Sequence, residues 1–457
     1  MQLNKLFFSI LGIVAAFMLD ASMDLLLPEM VSVALFVYFL LSFVDSIGKS
    51  YELLDLPILL ALFQCLLMPM VIFHFYNNDY FVIALRYDMG VTADTYFSFM
   101  LPAVIAMIIG MKFPFRNSRS VIKQFFLNID QIKTYLKGKG NLGLLLSIIG
   151  FVSGFLQVFI PGELNYVAYL FGKLLYVGIL YTYFSDAPNR KILLIGGLVT
   201  VLAQSLVQGM FGELVYTSVL SVMLLLLGQK ISGGAKTAVV IVGMLAIFLL
   251  QSVKKDYRDV AWYGKGEQGK TEAFFSLLSE RITNPSQFFD KYNIFPMVNR
   301  FNQGMIIGKV MVHIPAQAPY AGGETIFKSL AASFVPRLLW PDKPIAGGKQ
   351  NMERFTGFII EGYSMNIGPM GEAYGNFGST GGIIFMFIYG LFFSFSVYMI
   401  LRVAKKHPTI ILWFPILFLN SVQVETDILM CVNSLIKNCI FIWFCYWGAD
   451  RFLRLKL

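Results

Sequence analysis

In a chain that is 57% hydrophobic and only 14% charged, the residue types able to do chemistry collect in one stretch. It starts at Ser333 and runs through Pro336-Arg337-Leu338-Leu339-Trp340-Pro341-Asp342-Lys343-Pro344, then Arg354 and Glu361, to Gly371-Glu372-Ala373-Tyr374-Gly375-Asn376-Phe377-Gly378. Arg337 and Lys343 flank Trp340, and a guanidinium fork beside a point-charge ammonium suits a pyrophosphate. The same two residues would also hold lipid headgroups or pair with Asp342. Arg300 and Arg354 are further anion-binding candidates, against a reading of each as a local ion pair. Glu372 lies beside Tyr374 and Asn376 where the stretch re-enters apolar sequence. A carboxylate there loses hydration, which moves its pKa toward the range of a general base. Its other reading is a cap on the helix that follows, because a helix N-terminus favours negative charge. Glu361 and His313 are alternative bases.

The elements that must position these residues are membrane helices. The chain has 457 residues, 16% of them aromatic, and a mean hydropathy of +0.68. Apolar runs recur at about the 20 residues a helix needs to cross hydrocarbon. They fall near 6–27, 30–44, 56–76, 96–111, 142–160, 164–184, 192–207, 214–227 and 238–250, and again near 382–401, 410–424 and 430–447. The pattern predicts an all-α polytopic protein of about twelve transmembrane helices, with a large loop between helices 9 and 10. Residues 1–250 hold the first nine helices, 251–381 the loop with the candidate site, and 382–457 the last three. Within the loop, 271–281, 297–312 and 323–339 have helical apolar spacing, as for helices folded over the bilayer surface.

Lys and Arg crowd the even-numbered connections, as at Lys49, Lys112, Arg116, Arg119, Lys123, Arg190, Lys191 and Lys230. Odd-numbered short connections carry acidic residues and Arg86. The positive-inside rule then makes both termini cytoplasmic and the 251–381 loop extracytoplasmic. The net charge of +9 is spent on topology, so no nucleic acid is expected. Ile122, Phe125, Ile129, Ile132 and Leu136 make one face of an amphipathic helix near 120–137, as for a helix lying on the cytoplasmic membrane surface. All four cysteines fall in apolar segments, against disulfides. Lys173 and Lys437 stand inside predicted spans, where charge must face a cavity or a partner. Lys173 is read as a cavity-lining phosphate contact or as the partner of a carboxylate such as Glu213. Asp20 with Asp24, and Glu425 with Asp427, do not make a metal set, and His313 has no second ligand, so neither metal nor cofactor is expected.

At 336–344 and 371–378 the sequence resembles the Wzy-type polymerases of O-antigen and related oligosaccharide repeat units in bacterial envelopes. The layout is similar too: a dozen or so helices with one dominant periplasmic loop before the last spans. The resemblance implies a GT-C-like glycosyltransferase of the inner membrane that uses undecaprenyl-diphosphate-linked glycans as donor and acceptor, beside a chain-length regulator and a flippase. Arg337 and Lys343 would hold the pyrophosphate and Glu372 would take the acceptor proton. An Arg-x10-Gly pattern of the family occurs at Arg337 to Gly348 and at Arg258 to Gly269. The histidine expected by analogy with O-antigen ligases has no clear counterpart except His313. An O-antigen ligase and a lipid-linked oligosaccharide flippase are the alternative functions.

Overall fold

The computed structural model describes the chain except for residues 1, 116–128, 161–162, 189, 210, 264–268, 285–290, 336–338, 346–347 and 362–364. All regular secondary structure among the described residues is helical. That follows from composition, since a backbone in hydrocarbon must satisfy its own hydrogen bonds.

The first part contains α1 (Gln2–Met23), α2 (Leu27–Ser46), α3 (Asp55–Leu62) and α4 (Met68–Phe75) joined by a π turn (Phe63–Leu67), α5 (Tyr80–Ala84) and α6 (Ala93–Lys112). It continues with α7 (Ile129–Leu136), α8 (Gly140–Leu156), α9 (Glu163–Gly172), α10 (Leu174–Phe184), α11 (Arg190–Gln208), α12 (Phe211–Leu226) and α13 (Gly233–Tyr263). The rest is α14 (Lys270–Thr283), α15 (Lys291–Phe301), α16 (Gln303–His313), α17 (Glu324–Phe334), α18 (Lys349–Thr356), α19 (Gly368–Ala404), α20 (Phe414–Leu417) and α21 (Ile428–Leu453). Eight helical stretches among the described residues are long and apolar enough to cross a membrane, and a ninth follows if the bent pair α7 and α8 is one span. The protein is a helical, multi-pass membrane protein.

Several boundaries differ from the sequence expectation. Residues 410–424 do not form one helix. A 3-10 turn (Pro408–Trp413) and the four-residue α20 carry the chain to Leu417, and 418–427 is irregular. Two prolines withhold backbone donors there, and Asn420, Ser421, Gln423, Thr426 and Asp427 offer competing side-chain hydrogen bonds. α13 runs past 250 to Tyr263, because no glycine or proline falls in 251–263. α19 begins at Gly368 rather than near 382. It kinks at Gly378, whose φ of 70° is one that glycine adopts without steric cost.

Not all of the loop helices lie on the surface of the protein. α16 is buried along most of its length, with Gly304 against Pro69 and Tyr96 and Gly308 against Met89. Nor does the described part of the 120–137 helix face lipid with its apolar side. Ile129, Ile132 and Leu136 are buried in the main core, and the Tyr135 hydroxyl donates to the Lys456 carbonyl. An apolar stripe fits a protein face as well as a membrane, and here the protein supplies one. Ile122 and Phe125, with the basic residues Arg116, Arg119 and Lys123, lie outside the described residues. α6 and α19 cross closely because Gly110 and Gly390 face the opposing backbone, the packing that small residues give membrane helices.

Candidate functional site

Irregular backbone at membrane depth persists where it is buried in protein or lines a cavity. Segment 418–427 does both. Behind it, α21 starts with two carboxylates at its N-terminus. Asp427 Oδ1 accepts from the Met430 N–H at 2.7 Å, and Glu372 Oε1 accepts from the Ile428 N–H at 2.9 Å. In front of it is a cavity of about 570 Å3 between α9, α10, α20 and α21.

The cavity wall is rich in amides, contributed by Gln157, Asn165, Asn420, Asn433 and Asn438, with the rings of Tyr166 and Tyr169 beside them. Asn165 Nδ2 donates to the carbonyls of Gln157 and Ile160, and Asn438 Nδ2 to that of Ile416, which fixes their orientation. Asn433 Oδ1 is buried and makes no hydrogen bond among the described residues. Amides that both donate and accept, next to aromatic faces, suit a hydroxyl-rich ligand.

Lys173 sits where α9 gives way to α10, and this break aims its side chain at α12. Its ammonium is ion-paired with Glu213 and stands 4.1 Å over the Tyr169 ring, while the Tyr169 hydroxyl donates to Glu213 Oε2 at 3.0 Å. Lys437, the other lysine within a predicted span, places its ammonium 4.7 Å over the Tyr166 ring.

One turn beyond Glu213 on the same face of α12, the Tyr216 hydroxyl donates to Glu425 Oε1 at 2.9 Å. Glu425 belongs to the irregular segment. Within electrostatic reach of it is Lys254, buried on α13, and around Lys254 stand Arg258 and Arg300. Arg258 Nε donates to the Gly209 carbonyl at 3.1 Å. Gln251, Lys254 and Arg258 share one face of α13 by their spacing. Gln251 Oε1, Asn299 Oδ1 and Glu425 Oε2 are buried and make no hydrogen bond among the described residues. Lys254 thus has two further cations and one carboxylate within electrostatic reach, and the orphaned acceptors leave places for hydroxyl donors. The cation cluster and the cavity are joined by α12, through Glu213 and Tyr216, and by segment 418–427, through Asn420 and Glu425.

Residues 48–399 match the family described as a domain of unknown function (DUF8712). The chain belongs to the DUF8712 family. The matched region takes in Lys173, Glu213, Lys254 and Arg300, and ends within α19, before Glu425. No curated protein and no solved structure matches the chain.

In this DUF8712 protein the residues selected from sequence are dispersed. Lys173 lines the cavity and Arg300 joins the cation cluster. Arg337, with Pro336, lies outside the described residues. Lys343 Nζ donates to the carbonyls of Ala332 and Val335, a cation closing the C-terminal end of α17. Trp340 is half-buried in the same connection and Glu361 is exposed. Arg354 Nη2 is 2.7 Å from Glu324 Oε2, and this hydrogen bond, with Lys328 adding to it, holds the Glu324 carboxyl down at about 2. His313 Nδ1 is 3.0 Å from Gln317 Oε1.

The 371–378 motif is a packed unit. Tyr374 meets Phe99 edge-on, and Asn376 donates to Thr325 Oγ1 and to the Glu372 carbonyl while accepting from the Gly323 N–H. Glu372 is fully buried rather than partly desolvated, and the helix it caps is α21, not the one it belongs to. Lys254, Tyr216 and Asn433 have no advance signal beyond being polar residues at the edge of apolar runs. Glu425 has one, as an acidic residue beside a predicted span. Among the described residues no group of three His, Cys, Asp or Glu could hold a metal ion.

Proposed function

We propose that this protein is a membrane glycosyltransferase that polymerises undecaprenyl-diphosphate-linked oligosaccharide repeat units at the extracytoplasmic face of a bacterial inner membrane, without a metal. The observation that carries the reading is the pairing of a cation cluster, Lys254, Arg258 and Arg300, with an amide-lined cavity in the same bundle. The cations suit a diphosphate, whose charge grows as it leaves, and the amides and tyrosines suit the sugars it carries. The ion pair with Glu213 gives Lys173 the carboxylate partner rather than the phosphate in this arrangement.

Contacts between connections support the twelve-segment topology that this function needs. Even-numbered connections touch each other, as Gly228 with Gly48 and Gly138 with Asp186, and Tyr135 reaches the C-terminal Lys456. Odd-numbered ones do likewise, as Asp79 with Lys291, Asp88 with Lys309 and Gly209 with Arg258. That sorting follows if α11, α12 and 408–427 each cross. The cation cluster then belongs to the odd, extracytoplasmic side, and both termini are cytoplasmic.

The test is extension of purified lipid-linked repeat units by the protein in nanodiscs, read as a product ladder, with carrier binding measured alongside. Wild type should lengthen the glycan. Arg300→Ala, at an exposed residue, and Lys254→Met should each lower extension by about tenfold or more, with weaker carrier binding. Absence of extension by wild type, or transbilayer movement of single units without extension, overturns the reading.

A further inference from the structure

Resting on the glycosyltransferase reading, we propose that Glu425 is the general base that takes the acceptor hydroxyl proton. Three observations place it there. It stands on the irregular segment that also carries the cavity-lining Asn420, within electrostatic reach of Lys254, one of the cations that would hold the leaving diphosphate. One of its oxygens is fixed, Oε1 by the Tyr216 hydroxyl at 2.9 Å. The other, Oε2, is buried and makes no hydrogen bond among the described residues. A base whose one oxygen is oriented by a third group and whose other is left to accept is the arrangement that activates an oxygen nucleophile. The titratable groups around it are Tyr216 on α12, Lys254 on α13, Cys65 in the π turn and Cys431 on α21. Glu372 also has one oxygen bonded, Oε1 to the Ile428 N–H, and one buried without a hydrogen bond among the described residues, but its charged neighbour is Asp427 rather than the cations that would hold a leaving diphosphate.

In the step, the acceptor sugar hydroxyl gives its proton to Glu425 Oε2 while its oxygen forms the new bond to the anomeric carbon of the donor. The bond from that carbon to the diphosphate oxygen breaks, and its electron pair leaves with the diphosphate beside Lys254, Arg258 and Arg300. Tyr216 is a positioning residue, acting through Oε1.

The experiment compares wild type, Glu425→Gln and Tyr216→Phe in nanodiscs with lipid-linked repeat units, with and without sodium azide. Glu425→Gln keeps the acceptor for Tyr216 and should lower kcat at least a hundredfold with KM and carrier binding little changed. Azide is already an anion and needs no base. It should therefore restore release of the carrier diphosphate by Glu425→Gln, giving a glycosyl azide, and should leave wild type unaffected. Tyr216→Phe should lower kcat severalfold without azide rescue. Turnover by Glu425→Gln within tenfold of wild type overturns the assignment and leaves the glycosyltransferase reading standing. So does loss of turnover accompanied by loss of carrier binding and no azide product. An inert wild type overturns both.

Discussion

Removing either partner of the Lys173–Glu213 pair should destabilise the protein, and by unequal amounts. The lysine side chain is 6% exposed and the glutamate 33%. Glu213→Gln leaves an ammonium that water hardly reaches, and an uncompensated buried charge costs about 3–5 kcal/mol. Lys173→Met leaves a carboxylate that is one-third hydrated and still accepts from the Tyr169 hydroxyl, so its cost should be about 1–2 kcal/mol after solvent screening. The double variant removes both charges from an apolar site and should fall within about 1 kcal/mol of wild type, because a buried pair replaced by neutral groups is often close to neutral. Equilibrium unfolding in mixed micelles, followed by tryptophan fluorescence, measures all three. A cost for Lys173→Met equal to or above that for Glu213→Gln would refute the argument from exposure. Additive single costs in the double variant would refute the pair itself.

Glu372→Gln keeps an oxygen for the Ile428 N–H and should cost about 1 kcal/mol with glycan extension retained, whereas Glu372→Ala should cost about 1–3 kcal/mol by orphaning a buried donor. The comparison needs unfolding and extension measured on both, and loss of extension in the glutamine variant would return this residue to the chemistry. Gly110→Ala would put a methyl group 2.2 Å from the Phe387 carbonyl oxygen, so α6 and α19 must part, at about 1–3 kcal/mol. An unfolding midpoint unchanged in this variant would count against the close crossing. Arg354 holds the Glu324 carboxyl at about 2, below its ordinary value, so the tether between α17 and α18 is complete above the ordinary carboxylate range and is lost as pH falls through about 2. Carboxyl-carbon NMR of Glu324 should show that low midpoint and its return upward in Arg354→Ala, and an unmoved midpoint would sink the assignment.

Along the chain, what was legible was whatever depends on near neighbours. Apolar length announced helices because the membrane enforces one secondary structure. The depth of Lys173 announced a partner, and Glu213 is one, because a charge in an apolar span has few ways to be stable. Boundaries slipped where local signals compete. Segment 410–424 reads as a span by hydropathy, yet Pro415 and its polar side chains break it, and α19 begins early since nothing before Gly378 forbids a helix. The site was harder to see for a different reason. Lys254, Arg300 and Glu425 carry no mutual spacing, and the hydrogen bond that orients Glu425 comes from Tyr216, 209 positions away. Sequence density drew attention to 333–378, where charged and turn residues cluster. The described part of that stretch spends them on caps and local pairs: Lys343 on the end of α17, Arg354 on Glu324, and Glu372 on Ile428. Periodicity and composition decide which residues can be helical and which faces are apolar. Which polar residues from distant helices meet in one low-dielectric pocket is set by how the helices pack, and that was decided only by the tertiary structure.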